Sequence, residues 1–183
     1  MQIPCPDGVS IVRTASANFM LLGQAQSNDG DISGNLGASD AWIFSIDNDG
    51  NMLWQKNMGG SSVYMFYDMD AATDGNFLPA GYTASKDHDI TLNHGGYDAW
   101  LAKIDENGNV LWQKTFGGGD DDRIYDAKES TDGCYILSGI TASTDGDLFG
   151  RPDSGSKPWF VKLDKERNIM WSRSLEIKSS GGS

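Results

Sequence analysis

The sequence predicts an all-β chain built from three copies of one four-stranded antiparallel unit, and three observations predict it. First, the six tryptophans of the 183-residue chain fall into two series, Trp42, Trp100, Trp159 and Trp54, Trp112, Trp171, each spaced by 58 and 59 residues. A fixed long period is the signature of a repeated supersecondary unit. Second, 22 of the 26 acidic residues are Asp, and only Glu106, Glu129, Glu166 and Glu176 are Glu. Asp favours turns where Glu favours helix interiors, so the acids, like the 23 glycines, point to short strands joined by tight turns. Third, the residues around the first tryptophan of each unit alternate between two faces with the period of a strand.

Each unit resolves into four strands. The first is a half-polar stretch such as RIYDAKEST at 123–131, closed by a turn of the form Thr73-Asp74-Gly75-Asn76 or Thr131-Asp132-Gly133-Cys134, in which Asp-Gly is a strong hairpin signal. The second is the apolar run NFMLLGQA, NFLPAGYT or CYILSGIT, broken by Gly23, Gly81 or Gly139 at intervals of 58. A long polar loop follows. The third strand places Trp42, Phe44 and Ile46 on one face and Ala41, Ile43 and Ser45 on the other. A turn of the form Asp-x-x-Gly-Asn, at 47–51 and 105–109, leads to the fourth strand, with Met52, Trp54 and Lys56 on one face. Pro79 lies within a second strand and cannot donate to a ladder, so a bulge or an open hydrogen-bond position is expected there.

A four-stranded sheet with large apolar residues on both faces cannot bury them alone, so the units must stack face to face. Radial repetition of such sheets is the β-propeller solution, with blades at 3–60, 61–118 and 119–177 and a linker-like tail at 178–183. Propellers close with about four to eight blades. Three blades therefore call for a homodimer that completes a six-bladed ring, or for blades outside this chain.

The lines DDRIYDAKESTDGCYILSGITAS and GGYDAWLAKIDENGNVLWQKTFGGGDDD, read as a cycle, resemble the SBBP-type β-propeller repeats of bacterial surface and secreted proteins, especially those of Bacteroidetes. The resemblance covers residues 3–177. It implies a propeller blade and an interaction or adhesion role, and it implies no reaction. The third unit departs from the pattern, with Lys157-Pro158 for Asp-Ala and Lys165-Glu166-Arg167-Asn168 for the glycine turn, so a less regular hairpin is expected there.

The candidate ligand-binding residues lie in the long loop between second and third strands: Asp29 and Asp31, Asp87 and Asp89, Asp145 and Asp147. Asp29, Asp31 and Ser33 stand at alternate positions before Gly34, as at the opening of an oxygen-ligand calcium loop. No Glu follows at the distance that closes an EF-hand shell, and Asx-turns account for the same spacing without metal. His88 and His94 occur only in the middle copy, where a transition metal could share them with a carboxylate. The link GGGDDDR at 117–123 sets three carboxylates beside Arg123; such groups can hydrolyse glycosides when correctly spaced, and more often serve the turn itself. The tryptophan pairs read as packing between blades, each indole N–H finding a backbone acceptor, rather than as sugar platforms. Cys5 and Cys134 occupy non-equivalent positions and make no disulfide framework.

The formal net charge of −12 disfavours nucleic acid and anionic membrane surfaces, and no apolar stretch is long enough to cross a membrane as a helix. No nucleophile elbow, phosphate loop or paired Cys and His marks a catalytic centre. The expected role is thus a non-catalytic binding or scaffolding module, secreted or at the cell surface, with a glycan or protein ligand, no resident cofactor unless calcium, and a second copy as partner. A carbohydrate-active hydrolase using the loop aspartates is the alternative, and a designed or excised repeat fragment without a function of its own is a third reading.

Overall fold

The computed structural model describes residues 10–25, 40–88, 90, 92–148 and 155–175. Among the described residues the chain forms three four-stranded antiparallel sheets, each a consecutive up-and-down meander. The first holds β1 (Ile11–Arg13), β2 (Phe19–Ala25), β3 (Asp40–Ile46) and β4 (Met52–Met58). The second holds β5 (Tyr64–Ala71), β6 (Phe77–Thr83), β7 (Asp98–Ile104) and β8 (Val110–Phe116). The third holds β9 (Asp122–Glu129), β10 (Tyr135–Thr141), β11 (Lys157–Leu163) and β12 (Ile169–Ser174), and one 3-10 turn, Gly146–Leu148, lies in the β10–β11 loop. The fold is all-β and propeller-type, with the sheets stacked as blades.

The stacking follows from strand parity. In β7 every residue is buried, whereas β3 buries Ala41, Ile43 and Ser45 and leaves Trp42, Phe44 and Ile46 half-buried. In β11 the pattern inverts: Trp159, Val161 and Leu163 are buried, and Pro158, Phe160 and Lys162 are not. One core cluster joins Met20, Leu22 and Ile43 of the first sheet to Trp100, Ala102 and Ile104 of the second. The other joins Leu78, Ala80 and Leu101 of the second to Leu137, Trp159 and Val161 of the third. The second sheet is therefore the middle of the stack, and each outer sheet covers only one of its own faces.

Of the first-series tryptophans Trp100 and Trp159 are fully buried and Trp42 is half-buried, and their indole N–H groups find side chains rather than the backbone acceptors expected. Trp42 and Trp100 Nε1 donate to Gln55 and Gln113 Oε1 at 3.0 and 2.9 Å, and Trp159 Nε1 donates to Ser172 Oγ at 2.8 Å. Trp54 and Trp112 of the second series knit the sheets together. A bulge at Leu53, repeated at Leu111 and Met170, interrupts the strict alternation expected of the fourth strand and re-aims the tryptophan beside it. Trp54 Nε1 donates to the carbonyl of Glu106 in the next sheet at 3.2 Å, and Lys56 Nζ reaches Asn109 Oδ1 at 2.9 Å. A side chain on Gly108 would collide with the Trp54 ring.

The turns behave as their chemistry dictates. Asp47, Asp105 and Asp164 each accept from the backbone N–H and the side-chain amide of the Asn four residues on, which holds all three carboxyls below the ordinary aspartate range. The third hairpin is as regular as the others, contrary to expectation, because Arg167 takes a left-handed φ of 68° where Gly108 has 73°. Its guanidinium stacks on Trp112 at 5.3 Å, and its carbonyl accepts from Lys114 Nζ at 2.8 Å. At Pro79 no bulge forms: it pairs in register with Met69, and the ladder to β7 skips Leu78 and Pro79, leaving the open position that a residue without N–H requires.

Candidate functional site

The β6–β7 and β10–β11 loops turn back at one end of the stack, where they meet the links that carry the chain into the next sheet. Asp87 Oδ1 accepts from Ser61 N at 2.8 Å and Ser85 Oγ from Ser62 N at 3.0 Å. One unit later Asp145 Oδ1 accepts from Gly119 N at 2.7 Å and Ser143 Oγ from Asp120 N at 3.0 Å. Asp147 Oδ2 accepts from Gly117 N at 3.0 Å. These three candidate ligand aspartates buckle a loop to a link, and hydrogen bonds from Ser61 hold Asp87 below the ordinary aspartate value. Asp29, Asp31, Ser33 and Asp89 lie outside the described residues, and among the described residues no three His, Cys, Asp or Glu side chains gather as a metal site.

His94 joins a carboxylate rather than a metal set: its Nδ1 lies 2.7 Å from Asp98 Oδ2, which also accepts its backbone N–H at 2.8 Å. Asp122, of the link GGGDDDR, is buried and accepts from Gly118 N, Ser143 Oγ and Thr141 Oγ1 at 2.8, 2.7 and 2.5 Å. Burial raises both the Asp98 and the Asp122 carboxyl, and the charge of Asp122 raises Asp98 further. Both carboxyls are thus raised, yet one oxygen of Asp98 and both of Asp122 are engaged by the chain's own donors.

Beside this pair, sequence reasoning missed a cluster of four tyrosines, two of which flank Arg123. The first strands β5 and β9 each carry a bulge, between Phe66 and Asp68 and between Ile124 and Asp126, so Tyr67 and Tyr125 have no partner in the ladder to the second strand. The bulge explains the periodic glycines of the second strands. A Cβ on Gly81 would run into the carbonyl oxygen of Met65, and one on Gly139 into that of Arg123. Tyr67 packs against Tyr125 edge-on with centroids 4.8 Å apart, and against Tyr82 at 5.6 Å; Tyr82 meets Tyr97 edge-on at 4.9 Å. The Arg123 guanidinium lies 5.0 Å from the Tyr82 ring centre and 4.8 Å from that of Tyr97, and pairs with Asp121 at 3.3 Å.

The electrostatics suit a neutral aromatic platform with a polar margin. Burial pushes the Tyr67 hydroxyl up to about 12, and it shares a hydrogen bond with Tyr82, whose own value burial also raises. Arg123 Nε and Asp126 Oδ1 are buried without a hydrogen-bond partner among the described residues. A polar row runs alongside on the first strands: Ser10 Oγ donates to Asp68 Oδ1 at 2.6 Å, and Lys128 pairs with Asp70 at 2.8 Å. The signal that could have exposed this site was present, since Tyr67 and Tyr125 share the 58-residue period of Gly81 and Gly139.

No protein-family model matches the chain, and no curated protein matches it. Solved structures similar to it include a variant of the Synechocystis apocarotenoid oxygenase, at 14% identity and a TM-score of 0.48. A cobalt-substituted form of the same oxygenase gives 14% and 0.47. Each comparison covers 93% of this chain and 39% of the other, so the chain spans about two fifths of those oxygenases' length.

Proposed function

We propose that the chain is a non-catalytic binding module of a bacterial surface or secreted protein, and that it holds a glycan on the tyrosine face around Arg123. The observation that carries this reading is a continuous run of four rings, Tyr125, Tyr67, Tyr82 and Tyr97, whose last two members flank the Arg123 guanidinium where two first strands bulge. Rigid, half-buried rings present apolar area at small entropic cost, and their hydroxyls, with Asp121 and Arg123, supply the few polar groups that orient a ligand. The SBBP-like repeats of the sequence support the surface or secreted setting.

A hydrolase acting on such a ligand is the second reading, and the observation that favours it is the buried pair Asp98 and Asp122 with raised carboxyl values. Both readings are tested by a glycan array followed by calorimetry and product analysis on the best ligand. The expected result is binding without turnover, with Tyr125→Ala weakening it about tenfold or more, equivalent to ~1.4 kcal/mol. Cleavage abolished by Asp122→Asn would replace the binder by the hydrolase, and no glycan bound at millimolar concentration would sink the glycan. A repeat with EDTA decides calcium: unchanged affinity and melting temperature remove it.

A further inference from the structure

We propose that the open faces of the two outer sheets are the halves of one interface, and that a second copy of the chain seats its third sheet against the first sheet of its partner, closing a six-bladed ring about a twofold axis. The chain makes one contact between sheets twice and leaves it half-made at both ends. Trp54 docks on the Asp105–Asn109 turn of the second sheet, and Trp112 meets Arg167 in the corresponding turn of the third. Trp171, the third of the series, remains 37% exposed. The one turn of this kind that receives no tryptophan is Asp47–Asn51, where nothing lies within 4 Å of a Cβ built on Gly50.

The faces around these two features are unfinished in the same sense. Met20 and Leu78 are fully buried against the following sheet, whereas their equivalent Ile136 is 37% exposed. On the other side, Met69 and Ala127 are buried against the preceding sheet, whereas their equivalent Ile11 is 57% exposed. Trp42 and Phe44, stacked at 4.1 Å on the open face of the first sheet, occupy the positions by which Trp100 and Ala102 meet the sheet before them. Apolar faces of this extent mark an association surface. The occupant that fits is this chain itself, because each face carries what the other lacks, and two identical contacts related by a twofold axis close the assembly.

The 58-residue equivalences assign the contacts. Trp171 Nε1 would donate to the carbonyl of the partner's Asn48, as Trp54 does to Glu106, and Arg173 would reach the partner's Asn51, as Lys56 reaches Asn109. One position is mismatched. Lys103 pairs across the inner interface with Glu129 at 3.1 Å, but the residues in those places at the new interface are Lys162 and the partner's Arg13, with Asp132 beside Lys162 as the compensating charge.

Light scattering on the full chain tests this, with an expected mass of twice 19.8 kDa. Trp171→Asp, at an exposed site, is expected to yield a monomer with an unchanged circular dichroism spectrum. Should that variant fail to fold, Arg13→Glu serves, because it recreates the Lys103–Glu129 pairing and should lower the dimer dissociation constant about threefold to tenfold. A wild-type monomer at all concentrations, a mass of three copies, or a dissociation constant indifferent to Arg13→Glu would each overturn the proposal. Failure here leaves the tyrosine site untouched, since glycan binding is read separately.

Discussion

The middle sheet and the two outer sheets are written in nearly the same sequence and live in different environments. β7 is buried throughout, on both faces, while β3 and β11 each bury alternate residues of opposite parity. The same side chain at an equivalent position, Trp100 against Trp42, is thus a finished core residue in one unit and a half-buried one in another. Burial is a property of the neighbour as much as of the residue, and the difference isolates what one sheet contributes to the next.

Substitutions at equivalent positions can break that comparison. The largest effect is expected at Trp100, stacked on Phe66 at 4.3 Å: Trp100→Ala should cost about 3–5 kcal/mol in urea unfolding, and Trp42→Ala less than half of that at concentrations low enough for the chain to be monomeric. Equal costs would mean that something covers the first sheet's open face in solution, as the two-copy ring requires at concentrations where it forms. Gly81→Ala comes next, at about 2–3 kcal/mol, because its Cβ must displace the Met65 carbonyl at the bulge. A cost near zero would show that the bulge yields easily and is no fixed mount for Tyr67.

Glu129→Gln removes one carboxylate from Lys103, whose side chain and that of Glu129 are each only 6% exposed, between the second and third sheets. It should cost about 2 kcal/mol, less than isolation of a buried charge, because Asp74 still pairs with Lys103 at 2.9 Å. An unchanged unfolding midpoint would demote the pair to a surface contact. The smallest and most distributed effect is that of pH. Asp47, Asp105 and Asp164 have folded values below the ordinary 3.8, so their contribution is present above that value and is lost as pH falls through the folded ones. Asp98 and Asp122, raised by burial, act oppositely: their ionisation weakens the fold as pH climbs above 3.8. Melting temperature should therefore drop steeply below about pH 4 and decline gently, if at all, above it; a maximum below pH 3 would reverse the ranking of the two groups.

The Asp-x-x-Gly-Asn turns, the period of the tryptophans and the two faces of the third strand could all be read from the chain, because each depends on contacts within a few residues or on strict repetition. Their local chemistry was sufficient even where Arg167 replaces glycine, since the Asp164–Asn168 bonds hold the turn in the left-handed region. The loop aspartates were legible as special but not in purpose. Asp87 and Asp145 look like ligands in the sequence because a carboxylate that receives backbone N–H groups and one that receives a ligand require the same residue type.

By itself, then, the sequence determined a threefold all-β repeat, its strand faces and its turns, since alternation and turn chemistry act over distances shorter than one blade. Packing between sheets settles which face of each sheet is covered, which carboxylates are consumed by links, and that Tyr67, Tyr82, Tyr97 and Tyr125 form one run of rings with Arg123 against two of them. The physical reason is that these four rings come from three strands and one loop. Two bulges and the stacking of two sheets bring them together, and neither is written in any window of sequence short enough to read.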